Sequence, residues 1–125
     1  MRLLLDTQSL LWSLEASDTL SNEARKAIDD ADNLVCVSVV SLWECAIKAD
    51  WGELKLPGDF MRSLEPAGLE LLEISMEHLE TYGTLPHQHL DPFVRILLAQ
   101  ALVEQLILVT RDRTIQNHNV PVLVA

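Results

Sequence analysis

Apolar positions recur along the chain with two alternating periods, one of strands and one of helices. Met1 to Leu5 is a short apolar run closed by Asp6, and Leu10, Leu11 and Leu14 then follow at helical spacing. These segments predict a strand followed by a helix. A second helix is predicted over about Asn22 to Ala31, starting near Ser21. Leu34 to Ser38, LVCVS, is β-branched and apolar throughout, the pattern of a strand buried on both faces. It feeds a helix through Trp43 and Ile47 that ends near Gly52. Pro57 to Glu65 reads as another short helix, and Leu71 to Ile74, after Gly68, as the next strand. Ser75 suits the cap of a helix over residues 76–82. The longest helix is predicted from Pro92 to about Gln105, followed by the strand LILVT and a last strand in VPVLV. Strands alternating with helices imply a parallel sheet covered on both faces, a three-layer α/β/α sandwich. No repeat or linker interrupts the pattern, so residues 1–125 read as one domain.

Composition narrows this picture. With 49% hydrophobic residues and few Gly or Pro, the disordered and low-complexity classes are excluded. Arg2 and three leucines resemble the start of a signal peptide, but Asp6 interrupts the run and no small-residue cleavage site follows. No other apolar run approaches a membrane span. The expectation is a cytoplasmic protein with no membrane partner. Cys36 and Cys45 form no metal-type pair and read as buried free thiols in a reducing compartment.

The formal charge of −10 argues against a surface that coats nucleic acid, because phosphate binding depends on clustered Lys and Arg. The acids then serve either as a solvated surface or as a few carboxylates gathered around a divalent cation. Most, such as Glu23, Asp29, Asp30, Glu65 and Glu80, suit the first role.

Four acids suit the second. In open α/β sheets the ligand crevice lies beyond the carboxyl ends of the strands. Asp6 ends the first strand and Asp112 follows LVTR; Glu44 lies early in the helix after the second strand, and Asp91 begins the longest helix. Each also has a capping role open to it. Asp6 and Asp91 are good N-caps, Asp91 with Pro92 at the first helical position. Ser41 to Glu44 matches a capping box, and Asp112 suits the cap of a short turn over residues 113–116. As a group, the carboxylates are what Mg²⁺ or Mn²⁺ needs, since hard cations take oxygen ligands and leave room for a phosphate. Ions held in this way activate a water for in-line attack on a phosphodiester.

Four stretches carry a resemblance: LLLDTQSLLW, VSVVSLWECAIKADWGELKLP, LPHQHLDPFVRILLAQALVEQLILVTRD and the closing VPVLVA. Together they resemble the PIN-domain family, in particular the VapC-type toxins of bacterial toxin–antitoxin pairs. The resemblance implies a Mg²⁺/Mn²⁺-dependent endoribonuclease, usually a homodimer, neutralised by a cognate VapB-type antitoxin that lies over the active-site groove. It implies metal ligation and catalysis by Asp6, Glu44 and Asp112. The family's remaining acid falls at Val94, where its segment reads His-x-Asp-Pro-Phe-Asp-Arg and this chain has His89-Leu90-Asp91-Pro92-Phe93-Val94-Arg95. Valine cannot bind an ion. Asp91, one turn earlier, is a candidate substitute in catalysis. A catalytically silent domain that binds antitoxin or RNA is the alternative, and a small-molecule phosphatase is a weaker third.

Lys48, one turn after Glu44, and Arg95 and Arg111, beside other acids, are candidate phosphate contacts, with Arg113 a further neighbour. Ordinary ion pairing is open to each. His87 and His89 precede the longest helix, where a histidine can bond RNA or move a proton. Thr7 and Thr110 are placed to orient an acid, or simply to cap a strand end. Gln8 stands where related toxins often carry His. Trp12 and Trp43, flanked by Leu, read as core or dimer contacts, and Trp51 as a helix terminator before Gly52.

Overall fold

The computed structural model describes residues 1–86, 91–117 and 120–125. His87 and His89 lie outside the described residues. The chain forms strands β1 (Arg2–Leu5), β2 (Leu34–Ser38), β3 (Leu69–Leu72), β4 (Ile107–Thr110) and β5 (Val122–Val124). Between them lie helices α1 (Thr7–Leu14), α2 (Asn22–Asp29), α3 (Val39–Asp50), α4 (Phe60–Ser63), α5 (Met76–Thr84) and α6 (Pro92–Glu104). A 3₁₀ turn covers Arg113–Asn117.

The sheet is parallel throughout, in the order β3-β2-β1-β4-β5. Its alternating side chains feed two cores. Leu3, Leu5, Val35, Val37 and Val109 pack with Leu10, Ala24 and Cys45 on one face. Leu4, Cys36 and Leu108 pack with Ile96, Leu97 and Ala101 of α6 on the other. A strand buried on both faces needs apolar residues at every position, which is why β1, β2 and β4 read as continuous runs rather than alternations. The predicted three-layer sandwich is the observed fold. Among the described residues, no helix is long and apolar enough to cross a membrane.

The connection from β1 leads to β2 on one side, and the later connection from β3 returns to β4 on the other. The chain therefore reverses direction at β1, and a crevice opens at the carboxyl ends of β1 and β4. Asp6 and Asp112 follow those two ends.

Three local expectations are corrected. Helix α3 begins at Val39, capped by the Ser38 hydroxyl, which accepts from Val40 N at 3.1 Å. The capping box expected from Ser41 to Glu44 does not form, because Ser41 already lies inside the helix, fully buried. Strand β3 begins two residues earlier than predicted, at Leu69, straight after the left-handed Gly68 at φ +84°. Trp43 is not a core residue: it is 61% exposed, because the phase of α3 that buries Leu42 and Cys45 turns it outward. The expected cap at Ser75 forms, in a capping box closed by the His78 ring, and Ser21 caps α2.

Candidate functional site at the carboxyl edge

Asp6 is held by its neighbours on two strands. Its N–H donates to Val109 O at 3.1 Å, extending the β1–β4 pairing by one residue. Its Oδ1 accepts from Ser9 N at 2.8 Å and so caps α1. The buried Ser9 hydroxyl donates to the same Val109 carbonyl at 3.0 Å, which clamps the start of α1 to β4. Ser9 is a positioning residue that the sequence reading passed over. Its signal was the Asp6-to-Ser9 spacing of three, the spacing of an N-cap and its donor.

Glu44 is brought to Asp6's immediate neighbour. The Thr7 hydroxyl donates to Glu44 Oε1 at 2.6 Å, and Lys48 Nζ lies 3.2 Å from Oε2. Thr7 is buried at 7% exposure, so this bond is sheltered and fixes the carboxylate from 37 residues away. The expected orienting role of Thr7 is the one it plays. Lys48 sits on the acid as an i,i+4 pair.

Asp112 completes the edge on β4. Its N–H donates to the Thr110 hydroxyl at 3.1 Å. Its Oδ1 accepts from Thr114 N at 2.9 Å and from the Thr114 hydroxyl at 2.7 Å, capping the 3₁₀ turn as expected. A cleft of about 490 Å³ opens here, bordered by Thr110, Arg111, Asp112, Arg113, Val122 and Val124.

On α6 the picture differs. Asp91 is the N-cap, with Oδ1 accepting from Phe93 N at 2.7 Å and Pro92 opening the helix. Val94 is partly buried against the core that contains Leu4, Cys36 and Val40.

Two of the basic residues have their donors taken up by the fold. Arg95 donates from Nε and Nη2 to Tyr82 O at 3.3 and 3.0 Å and from Nη2 to Leu85 O at 2.9 Å, with its guanidinium 4.7 Å over the Tyr82 ring. Arg111 donates to Ala125 O at 3.0 and 2.7 Å and to Thr19 O, and lies 4.4 Å over Trp12. Both had been expected to contact phosphate. Each instead ties off main-chain carbonyls, Arg95 at the end of α5 and Arg111 across the turn after α1.

The donor chemistry suits a hard cation, since every candidate ligand is a carboxylate. Among the described residues, Asp6 and Asp112 each have one carboxylate oxygen without a hydrogen bond. Glu44 has both oxygens engaged, by Thr7 and Lys48. No group of three or more His, Cys, Asp or Glu among the described residues is assembled to hold a metal ion. The residues fit a divalent cation in kind, with Lys48 as the group that must leave Glu44.

The PIN domain family model matches residues 3–120. A search of curated proteins finds no match. Among solved structures, the chain is similar to VapBC2 from Rickettsia felis bound to a DNA fragment from its promoter, with a TM-score of 0.74 at 16% identity, covering 98% of both chains. It is similar to DNA-bound VapBC from Salmonella typhimurium, with a TM-score of 0.72 at 16% identity, covering 98% of this chain and 97% of that one. A toxin–antitoxin complex from Klebsiella pneumoniae gives a TM-score of 0.62 at 22% identity, covering 97% and 95%.

Proposed function

The chain belongs to the PIN domain family, and from that premise we propose that it is a VapC-type endoribonuclease of a toxin–antitoxin pair, dependent on Mg²⁺ or Mn²⁺. The observation that carries the reading is the Thr7–Glu44 hydrogen bond of 2.6 Å, which sets a carboxylate of α3 beside the end of β1. In an acidic protein, such convergence is self-repelling unless a cation offsets it.

Asp6, Glu44 and Asp112 are the residues that would hold the ion. Bound there, Mg²⁺ or Mn²⁺ supplies charge neutralisation at a phosphate and an acidified water for in-line attack on an RNA phosphodiester. The chain's own contribution is positional. Ser9 and Thr7 hold the first two acids, and Thr114 holds the third. Lys48 balances Glu44 in the metal-free protein and would be available to phosphate if an ion were held there. Asp91 serves as the helix cap rather than as a fourth ligand, and its Oδ1 is already committed to Phe93 N. With valine at position 94 the site would offer an ion one carboxylate fewer, and activity would be weakened.

Val94 also favours a second reading, a silent PIN domain that binds antitoxin or RNA without cutting, since the aliphatic side chain packs into the core and no three-ligand group is assembled among the described residues. A VapB-type partner is supported under either reading by the VapBC complexes that share the fold. A homodimer is supported by an apolar cleft of about 380 Å³ between α3, α5 and α6, whose rim includes the exposed Trp43 and Leu79 and the half-exposed Ile74. Light scattering that finds only monomer at micromolar concentration removes the dimer.

The deciding experiment is Mn²⁺ titration by calorimetry on this chain and on Val94→Asp, with RNA cleavage followed on the same samples. Slow cleavage by the first and faster cleavage by the second is the expected result. Cleavage by neither overturns the nuclease reading; binding or cleavage only in Val94→Asp assigns this chain to the silent class.

A further inference from the structure

We infer that Arg113 seats a phosphate of single-stranded RNA in the cleft beside Asp112, an inference that rests on the RNA-directed reading above for the identity of its ligand. A chain of net charge −10 repels nucleic acid over most of its surface, so a strand is admitted only where a cation is left unneutralised at the site. Four basic residues stand beside the candidate acids in the sequence: Lys48, Arg95, Arg111 and Arg113. In the metal-free protein three of them are already engaged. Arg95 and Arg111 bond main-chain carbonyls and stack on Tyr82 and Trp12. Lys48 pairs with Glu44 at 3.2 Å.

Arg113 is exposed, and among the described residues it has neither an ion pair nor a side-chain hydrogen bond. Among the described residues its sequence neighbour Asp112 forms no ion pair with it; one oxygen of that carboxylate takes the Thr114 N–H and hydroxyl. Arg113 and Asp112 border the same cleft of about 490 Å³, whose lining also includes Val122 and Val124. A guanidinium with its donors open, sharing a cleft with a candidate catalytic acid and two valines, suits a nucleotide. The phosphate takes the fork of donors, and the sugar lies on the valines. The contact positions the strand without reading its sequence.

The test is fluorescence anisotropy of a fluorescein-labelled oligouridylate titrated with the whole chain in EDTA over a series of salt concentrations. Arg113→Ala is compared with Arg113→Lys and with Arg2→Ala, which removes an equally exposed charge from the amino end of β1. Arg113→Ala is expected to weaken binding about tenfold at low salt. Its log–log salt slope should be shallower by about 0.7, the share of one phosphate contact on a single strand. Arg113→Lys should recover most of the affinity, and Arg2→Ala should change little. The inference is overturned if Arg113→Ala keeps the parental affinity and slope, if Arg2→Ala loses as much, or if the parent chain does not bind the oligonucleotide at low salt. The two readings separate cleanly: RNA cleavage by Val94→Asp with Arg113-independent binding removes Arg113 and keeps the nuclease, whereas Arg113-dependent binding with no cleavage by Val94→Asp does the reverse.

Discussion

On the β1–α3 side of the carboxyl edge, the Glu44 carboxylate is held by a partner that the tertiary fold brings to it, Thr7, 37 residues away. Asp6 caps α1 through Ser9 N, and its own main-chain N–H ties it across the sheet to Val109 O. At the start of α6 Asp91 bonds a donor two residues on, and one turn further the helix carries the aliphatic Val94, packed against the core. A carboxylate placed by long-range contacts costs the fold like-charge repulsion and side-chain ordering, which favours a use that returns it. A carboxylate placed by its own helix start needs no use beyond the cap. The difference separates the half of the edge organised around a ligand from the half where the polar start of a helix only begins that helix.

The strongest way to break this comparison is Asp6→Asn. Asparagine caps a helix as well as aspartate, so α1 and the melting temperature should be retained. RNA cleavage in Mn²⁺, measured in the Val94→Asp background where the rate is highest, should fall at least about a hundredfold, as loss or misplacement of a positioned group does. Parental cleavage by the double variant would show that the β1–α3 half is not the organised half.

Val94→Asp tests the other side by stability. Without metal, the new carboxylate sits partly buried against the α6-side core and should destabilise the chain by about 1–3 kcal/mol. If it joins Asp6 and Asp112 around an ion, Mn²⁺ should raise its urea midpoint more than that of the parent, because a ligand that binds only the folded state stabilises it. An equal Mn²⁺ response in both proteins would mean that α6 faces away from the site.

The hydrophobic pattern was enough to read the layers, the strand count and the end positions of Asp6 and Asp112, because strands buried on both faces and amphipathic helices leave different periods. The start of α3 was not legible: LVCVSVVS is one β-branched run, and only the Ser38 cap divides strand from helix. The use of the arginines was hidden for a different reason. Nearness to an acid in sequence says nothing about a carbonyl 92 residues away, which is where Arg111 reaches Thr19. Of the two roles open to Trp43, core and dimer contact, the core role is excluded because the phase of α3 turns it outward.

A milder test is Asp91→Ala. Removal of the cap should cost about 1 kcal/mol in a urea melt, with α6 otherwise held by its buried residues Ile96 to Ala101. Cleavage by the Val94→Asp background should be unchanged by the added substitution. A loss of cleavage larger than the loss of stability accounts for would move Asp91 from the cap to the site.

The smallest effect is read at Cys45, the thiol next to Glu44. Burial first, and the Glu44 charge second, push it up from its ordinary 9.0 to about 11, with Lys48 pulling the other way. The raised value means that the folded state holds the thiol proton more tightly than the unfolded chain does. Its contribution to stability is therefore complete below about pH 9 and is lost as pH rises towards 11. Near neutrality, Cys45 should resist thiol reagents in the folded protein and react only after denaturation. Glu44→Gln removes one raising charge and frees Lys48 from its pair, so the onset of labelling with pH should move downward while the melting temperature at pH 7 changes little. An unmoved onset would place the Glu44 charge away from Cys45 and loosen the picture of a carboxylate fixed against the start of α1.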